Sequence, residues 1–414
     1  MSPDSSSPFP AELLARLPKS DLHVHLDGSL RLSTLIELAR ERKVKLPSSS
    51  SEGLLKTVFK KNYRNLTEYL KGFEFTVACL QDAEALERAA YEFCVDCRAE
   101  NVFYIELRFA PQLHAHGDFD VIKVLKAVSR GIRRAGREIN RHKDVRSGAL
   151  PEFYCGIIVC ALRFFLPVFS SYYATYFAAM QYSRKDQIYA LASRELAHAA
   201  VQAVEEHGLP IVGFDLAGQE SGFPAKDHLD AYALVHDHFI GKTVHAGEDY
   251  GPESIFQAIT DCHADRIGHG TWLFSARKIQ DPSIKDRRAY VDKLVRYMAD
   301  RRITVEVCLT SNQQTIPEFR DDLSKHPFAR MRRERLSVTL CTDNRLVSRT
   351  SMTDEITKAA SVFNLSAKEL KDVLIYGFKR SFYPGRYSAK REYVKKVLDI
   401  MEQRFAEYGI ETGK

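Results

Sequence analysis

The chain has 414 residues, of which 45% are hydrophobic and 28% charged, the balance of ordinary globular proteins rather than of a disordered or fibrous chain. Its formal charge of +6 comes from 60 basic against 54 acidic residues, and the basic runs at 130–137 and 330–335 read as solvated helix faces. With no recognition motif or basic tail beside them, they speak against a nucleic-acid partner.

The N-terminal dozen residues are rich in Ser and Pro, so 1–11 is expected to be flexible. They contain no apolar signal core, and no run of about 18 apolar residues occurs anywhere, so no membrane partner is expected. A short opening helix over 12–17 ends at Pro18. Eight apolar, β-branched runs bounded by polar turns then follow at 21–26, 102–109, 153–162, 210–216, 242–246, 266–268, 303–309 and 337–341. Helical periodicity fills most of the gaps, which is the pattern of a parallel α/β fold. Eight such units predict a (β/α)8 TIM barrel over 1–414 as one domain. The stretch 31–99 is too long for one crossover and predicts extra helices over the C-terminal face. A second enlargement, 164–182, is crowded with Phe, Tyr, Ala and Ser and predicts an added helix that packs on the barrel or pairs two chains. The segment 352–408 carries helical periodicity and should close the barrel from outside.

Eight cysteines fall mostly within apolar strand or helix patterns, as free thiols in a reducing compartment would, so a cytoplasmic location is expected. Cys94 and Cys97 form a lone C-x-x-C with no second pair or neighbouring His, and read as core positions on a helix.

Polar chemistry gathers where the runs end. His23 and His25 alternate on one strand and so point to the same face. His245 ends the fifth run, followed by Gly247 and Glu248; His269 ends the sixth; Asp343 and Asn344 end the eighth. Each has an ordinary structural explanation alone, but their joint placement at one end of a barrel, the end where such folds build their sites, favours a metal. Imidazoles and a carboxylate suit zinc with an open position for water.

The segments SDLHVHLDGSL (20–30), IELRFAP (105–111), GFDLAGQE (213–220), HAGE (245–248), RIGHG (266–270) and CTDN (341–344) resemble, in order, those of the adenosine deaminase family of metal-dependent amidohydrolases. The resemblance implies one zinc per chain held by His23, His25, His245 and Asp343. It implies a zinc-activated water that attacks C6 of a purine nucleoside, with Glu248 delivering a proton to N1 and His269 orienting the water. Asp343 would also take the water's proton. It further implies substrate contacts from Asp27 at the ribose hydroxyl end, from the Gly218 amide to purine N3, and from His25. The family's second carboxylate after the eighth strand is Asn344 here, an amide that can donate to purine N7 at every pH. Adenosine and 2′-deoxyadenosine are the expected substrates. A nucleoside with a modified 5′ group, of the aminodeoxyfutalosine or methylthioadenosine type, is the alternative. A non-catalytic nucleoside-binding barrel is disfavoured because every expected ligand and Glu248 are present. The binuclear relatives need a lysine after the fourth strand, where this chain has Asp215, Leu216, Ala217 and Gly218.

Overall fold

The computed structural model describes residues 7–413. Eight parallel strands, β1 (Lys19–His25), β2 (Val102–Phe109), β3 (Tyr154–Leu162), β4 (Ile211–Ala217), β5 (Gly241–Ala246), β6 (Arg266–His269), β7 (Thr304–Val307) and β8 (Ser337–Leu340), pair in sequence order. All eight expected runs are strands, several starting or ending one or two residues away from the expected bounds. The seventh, expected to reach 309, stops at Val307, because Cys308 caps and Leu309 begins a helix over Leu309–Thr315. Helices cover the outside, so the strands are buried on both faces and read as near-continuous apolar runs. The ring closes where Asp343 N–H donates to His23 O at 2.8 Å and His25 N–H donates to Asp343 O at 2.7 Å. The residues that close the barrel are thus those that carry its candidate metal ligands.

The opening helix runs Ala11–Arg16. Of the segment expected to be loose, 1–6 lies outside the described residues, and Phe9 is buried edge-on against Phe405. The stretch after β1 forms five helices; Ala83–Ala99 lines the barrel wall, and Leu66–Leu70 and Gly72–Cys79 reach over the site through Tyr69 and Phe73. Cys94 and Cys97 are buried on Ala83–Ala99, and all eight cysteines are free thiols. Within 164–182 a helix spans Ser171–Ala179, and Tyr173 stacks on Phe165 with ring centres 3.9 Å apart. These aromatics form a second apolar cluster with Ile188, Tyr189 and Ala192 of the helix Lys185–Glu205. Helices over Met352–Val362, Ala367–Arg380 and Tyr387–Glu407 complete the outer layer. No helix among the described residues is long and apolar enough to cross a membrane.

Barrel interiors of this class are dominated by branched apolar side chains, but this one holds a column of paired charges. Arg266 bonds Glu106 and, at 2.6 Å, Glu306; Arg108 bonds Glu306 at 2.9 Å and Asp215 at 2.8 Å, all essentially without solvent exposure. Breaking such a buried pair by removing one partner costs about 3–5 kcal/mol, because it strands a charge. The column therefore holds its members in place, and its upper end meets the histidines.

Candidate metal centre and active site

The ligating atoms of His23, His25, His245 and Asp343 all lie within 4.8 Å of one another. Asp343 Oδ1 is 3.5 Å from the Nε2 atoms of both His23 and His25, and the Nε2 atoms of His25 and His245 face each other at 3.3 Å. The charge column explains which ring nitrogens face inward. His23 Nδ1 donates to Glu306 at 2.8 Å, and His245 Nδ1 faces Asp215 at 3.0 Å. A carboxylate only accepts, so in both rings the proton sits on Nδ1 and the Nε2 lone pair is free. His23 Nε2 is buried with no hydrogen-bond partner, an arrangement that costs stability unless a cation takes the lone pair. Burial alone would raise the Asp343 carboxyl, but His23, 3.5 Å away, and the other imidazoles around it hold it well below the usual range, so it stays an anion. This donor set fits a metal ion.

His23 also groups with His269 and Cys308. Burial pushes the Cys308 thiol far up, however, so it stays protonated, and a thiol is no ligand until it is a thiolate. The set that includes Asp343 is the better cation site.

Glu248 stands three residues after His245, its side chain 10% exposed, with Oε1 3.6 Å from His269 Nε2. Burial, and then the charges of Asp343 and Glu220, push its carboxyl well above the ordinary glutamate value, which favours its protonated form. Gly247 takes φ +72°, and a β-carbon there would fall 2.5 Å from Ile255 Cδ1, so the turn into Glu248 needs glycine.

A relay through α-helical and loop residues orients His269. Phe328 N–H donates to His326 Nδ1 at 3.2 Å, which leaves the His326 proton on Nε2, facing Asn312 Oδ1 at 3.1 Å. Burial pushes His326 down to about 3, keeping it neutral. With Oδ1 accepting there, Asn312 Nδ2 donates to His269 Nδ1 at 3.3 Å. His269 therefore carries its proton on Nε2, the nitrogen turned toward Glu248. Its backbone, like that of Asp343, takes a positive φ (+64° and +60°), a conformation that non-glycine residues adopt at a cost and that is concentrated at functional sites.

The remaining expected residues lie around the same centre. Asp27 is buried, its Oδ1 lacks a partner, and burial raises its carboxyl to about 7. Gly218 takes φ +95° at the end of β4, where a side chain would be strained. Asn344 Nδ2 donates to Tyr69 Oη at 2.8 Å, and Tyr69 Oη lies 2.7 Å from Ser348 Oγ. Phe73 sits edge-on to His25 with ring centres 6.5 Å apart.

Several residues of this site escape sequence reasoning: Arg108, Asp215 and Glu306 behind the histidines; Asn312 and His326 behind His269; Glu220 behind Glu248; and Arg163. The last is buried and donates to His245 O and Phe223 O, both at 2.6 Å. Arg108, Asp215 and Glu220 lie inside the quoted family segments, and their one local signal is charge within an apolar strand or beside a glycine turn. Asn312 and His326 carry no such signal.

A family model described as adenosine deaminase matches residues 18–163 and 177–399, skipping the start of the aromatic insertion. An adenosine deaminase from Mycolicibacterium vanbaalenii is 35% identical over 408 residues, covering 97% of this chain and 99% of that protein. A probable adenosine deaminase from Dictyostelium discoideum is 32% identical over 394 residues, and there the match covers 94% of this chain but 44% of the relative's length. Among solved structures, an N6-mAMP deaminase from Arabidopsis superposes with a TM-score of 0.70 at 26% identity, over 94% of this chain and 99% of the other. Fold, site geometry and likeness along nearly the whole chain agree, and this enzyme belongs to the adenosine deaminase family of aminohydrolases.

Proposed function

We propose that this chain, as one catalytic domain, hydrolyses adenosine and 2′-deoxyadenosine to inosine and 2′-deoxyinosine with release of ammonia, using one zinc ion held by His23, His25, His245 and Asp343. The observation that carries this reading is the convergence of four ligand atoms within 4.8 Å, beside a glutamic acid whose protonated form burial favours. Three imidazoles and one carboxylate are donors that zinc favours. A zinc ion held there supplies a water acidic enough to lose its proton near neutral pH.

The chain's own groups do the rest. Glu248 gives its proton to purine N1 as C6 is attacked and the ring loses aromaticity, work that a carboxylic acid can do only while protonated. His269, with its proton on Nε2, donates to the attacking oxygen and steadies the charge that develops on it. Asp343, an anion, receives the water's proton and passes it to the amino group, which leaves the tetrahedral C6 as ammonia while the C6 hydroxyl proton returns to Glu248. The Gly218 amide faces N3, Asn344 faces N7, and His25 borders the nucleoside.

Asp27 supports a free 5′ hydroxyl rather than a phosphate. The Arabidopsis relative is named for a nucleoside monophosphate, but in this chain a phosphate at the ribose end would meet the Asp27 carboxyl with Asp343 close behind it. The unmatched segment at 164–176 favours one second reading, a nucleoside with a larger 5′ substituent of the aminodeoxyfutalosine or methylthioadenosine type. Pairing of two chains through 164–182 would use its exposed Leu166, Val168 and Tyr182, and sedimentation of the purified protein tests it. Free buried thiols agree with a reducing, cytoplasmic setting.

A metal assay paired with ammonia release from adenosine, deoxyadenosine, AMP, adenine, methylthioadenosine and aminodeoxyfutalosine tests the proposal. Adenosine and deoxyadenosine should lead the series. Zinc-replete protein that releases no ammonia from any of them would overturn the reading, and preference for a 5′-modified substrate would select the second.

A further inference from the structure

Glu220 is buried in the loop that leaves β4, and its carboxylate gathers four successive main-chain N–H groups from the loop that leaves β5. Oε1 accepts from Gly247 at 2.7 Å and from Ser254 Oγ; Oε2 accepts from Glu248 at 3.0 Å, Asp249 at 2.8 Å and Tyr250 at 3.0 Å. Residues 247–250 belong to no helix or strand, so no ladder satisfies these amides. The same stretch is held from its other side. Trp272 Nε1 donates to Glu248 O at 2.8 Å, and Trp272 N–H donates to Gly247 O at 2.9 Å.

Gly218 lies two residues before Glu220 on the same loop. Building on the nucleoside reading above, we propose that Glu220 is a positioning residue that fixes the Gly218 amide relative to the Glu248 carboxyl, so that one buried carboxylate sets the spacing between the two contacts to a single purine ring.

Purine N3 and N1 belong to one rigid six-membered ring, so the groups that meet them must keep a constant separation. Here those groups come from different strand-to-helix loops, the parts of such a fold that vary and move most. A carboxylate on one loop that receives four amides of the other locks the two together. The chemistry is selective for glutamate: all five partners are donors, and a carboxylate is the side-chain group that only accepts. Glutamine would turn an NH2 group against N–H donors, and aspartate would fall one methylene short. Misplacement of a catalytic group by 1 Å can cost about 100-fold in rate, so this spacing bears directly on turnover.

The test uses the zinc-loaded full chain, with Glu220→Gln and Ser254→Ala. Glu220→Gln is expected to lower kcat on the best nucleoside about 10- to 100-fold with KM changed far less, while bound zinc per chain stays at the wild-type level. Trp272 is the chain's single tryptophan, and its emission should shift because its indole partner moves. In the wild type the amides of 247–250 should exchange slowly with solvent deuterium, and at least tenfold faster in the variant. A zinc-replete Glu220→Gln protein with kcat within threefold of wild type overturns the proposal, whatever its melting temperature, because lowered stability with intact kcat is what a purely structural role predicts. Should that variant fail to accumulate, Ser254→Ala must lower kcat severalfold, and an unchanged value overturns the proposal as well. Fast exchange at 247–250 in the wild type also overturns it. If the wild type deaminates no nucleoside, the substrate reading has failed, while exchange and tryptophan emission still decide whether Glu220 clamps the loop.

Discussion

The Asp215 carboxylate faces the Nδ1 nitrogen of His245 at 3.0 Å, and so turns the Nε2 lone pair of that imidazole toward His25 and His23. Arg108 joins this carboxylate to Glu306, which does the same for His23, so one guanidinium braces two metal-facing rings. Although burial opposes it, the nearby His245 imidazole, whose Nδ1–H bonds it, and the charge of Arg108 hold the Asp215 carboxyl well below its ordinary range. Asp215→Asn removes that charge and leaves the tautomer of His245 undetermined. Zinc affinity should fall about 10- to 100-fold, the usual consequence of losing a ligand's orienting partner. Competition with a chromogenic chelator measures it, and an affinity within twofold of wild type would show that His245 is held without Asp215.

Glu248→Gln should keep zinc and lose turnover. A general acid contributes about 100- to 10,000-fold, and kcat is expected to fall within that range. The pH dependence has a definite sign. Glu248 has a folded-state pKa raised above its unfolded value, so the folded chain binds the extra proton more tightly and stability declines as pH rises from the unfolded carboxyl value of about 4.3 through the raised one. Turnover should be lost along the same basic limb, because the acid is then ionised. The glutamine variant should show neither slope from this group. Retained zinc with an unchanged rate would remove Glu248 from proton transfer.

How much of this was legible in the sequence depends on the distance over which each signal acts. Strand β2 begins and ends at Val102 and Phe109, as its apolar run predicts, because burial on both faces dictates that composition locally. His23 and His25 are readable because period-two alternation puts them on one face. Glu306 is different: its meaning depends on His23, Arg108 and Arg266, which lie far away along the chain and meet it inside the closed barrel. Asn312 is further from sight still, since it falls in a short helix after β7, beyond the apolar run at 303–309.

That same Asn312 carries the third prediction. Its Nδ2 donates to His269 Nδ1, which leaves the His269 proton on Nε2. Asn312→Asp would put an acceptor there, draw the proton to Nδ1 and turn the inward nitrogen from donor to acceptor. His269 lies outside the set with Asp343, so zinc content should hold while kcat falls about 100-fold, the scale for losing one donor to developing charge. Metal analysis beside steady-state kinetics checks both halves, and a rate within threefold of wild type would show that the tautomer of His269 is not set by Asn312.

Asn344 stands where the family carries a second carboxyl, and its amide donates to Tyr69 Oη at 2.8 Å without needing a proton from solvent. Asn344→Asp can make the same bond, or a bond to purine N7, only while its carboxyl is protonated. Burial and the adjacent Asp343 anion both favour that neutral form, so the variant should retain turnover at the acid end of the range. As pH rises through the new carboxyl's pKa the donor is lost and a second negative charge appears beside Asp343. The basic limb of kcat/KM should therefore steepen, from the ionisation of Glu248 alone to that of two groups, while the acid limb stays in place. A pH profile of the zinc-replete variant against wild type reads this directly. Inactivity at every pH would mean that the amide's shape and its contact with Tyr69, rather than a donor as such, are what this position supplies.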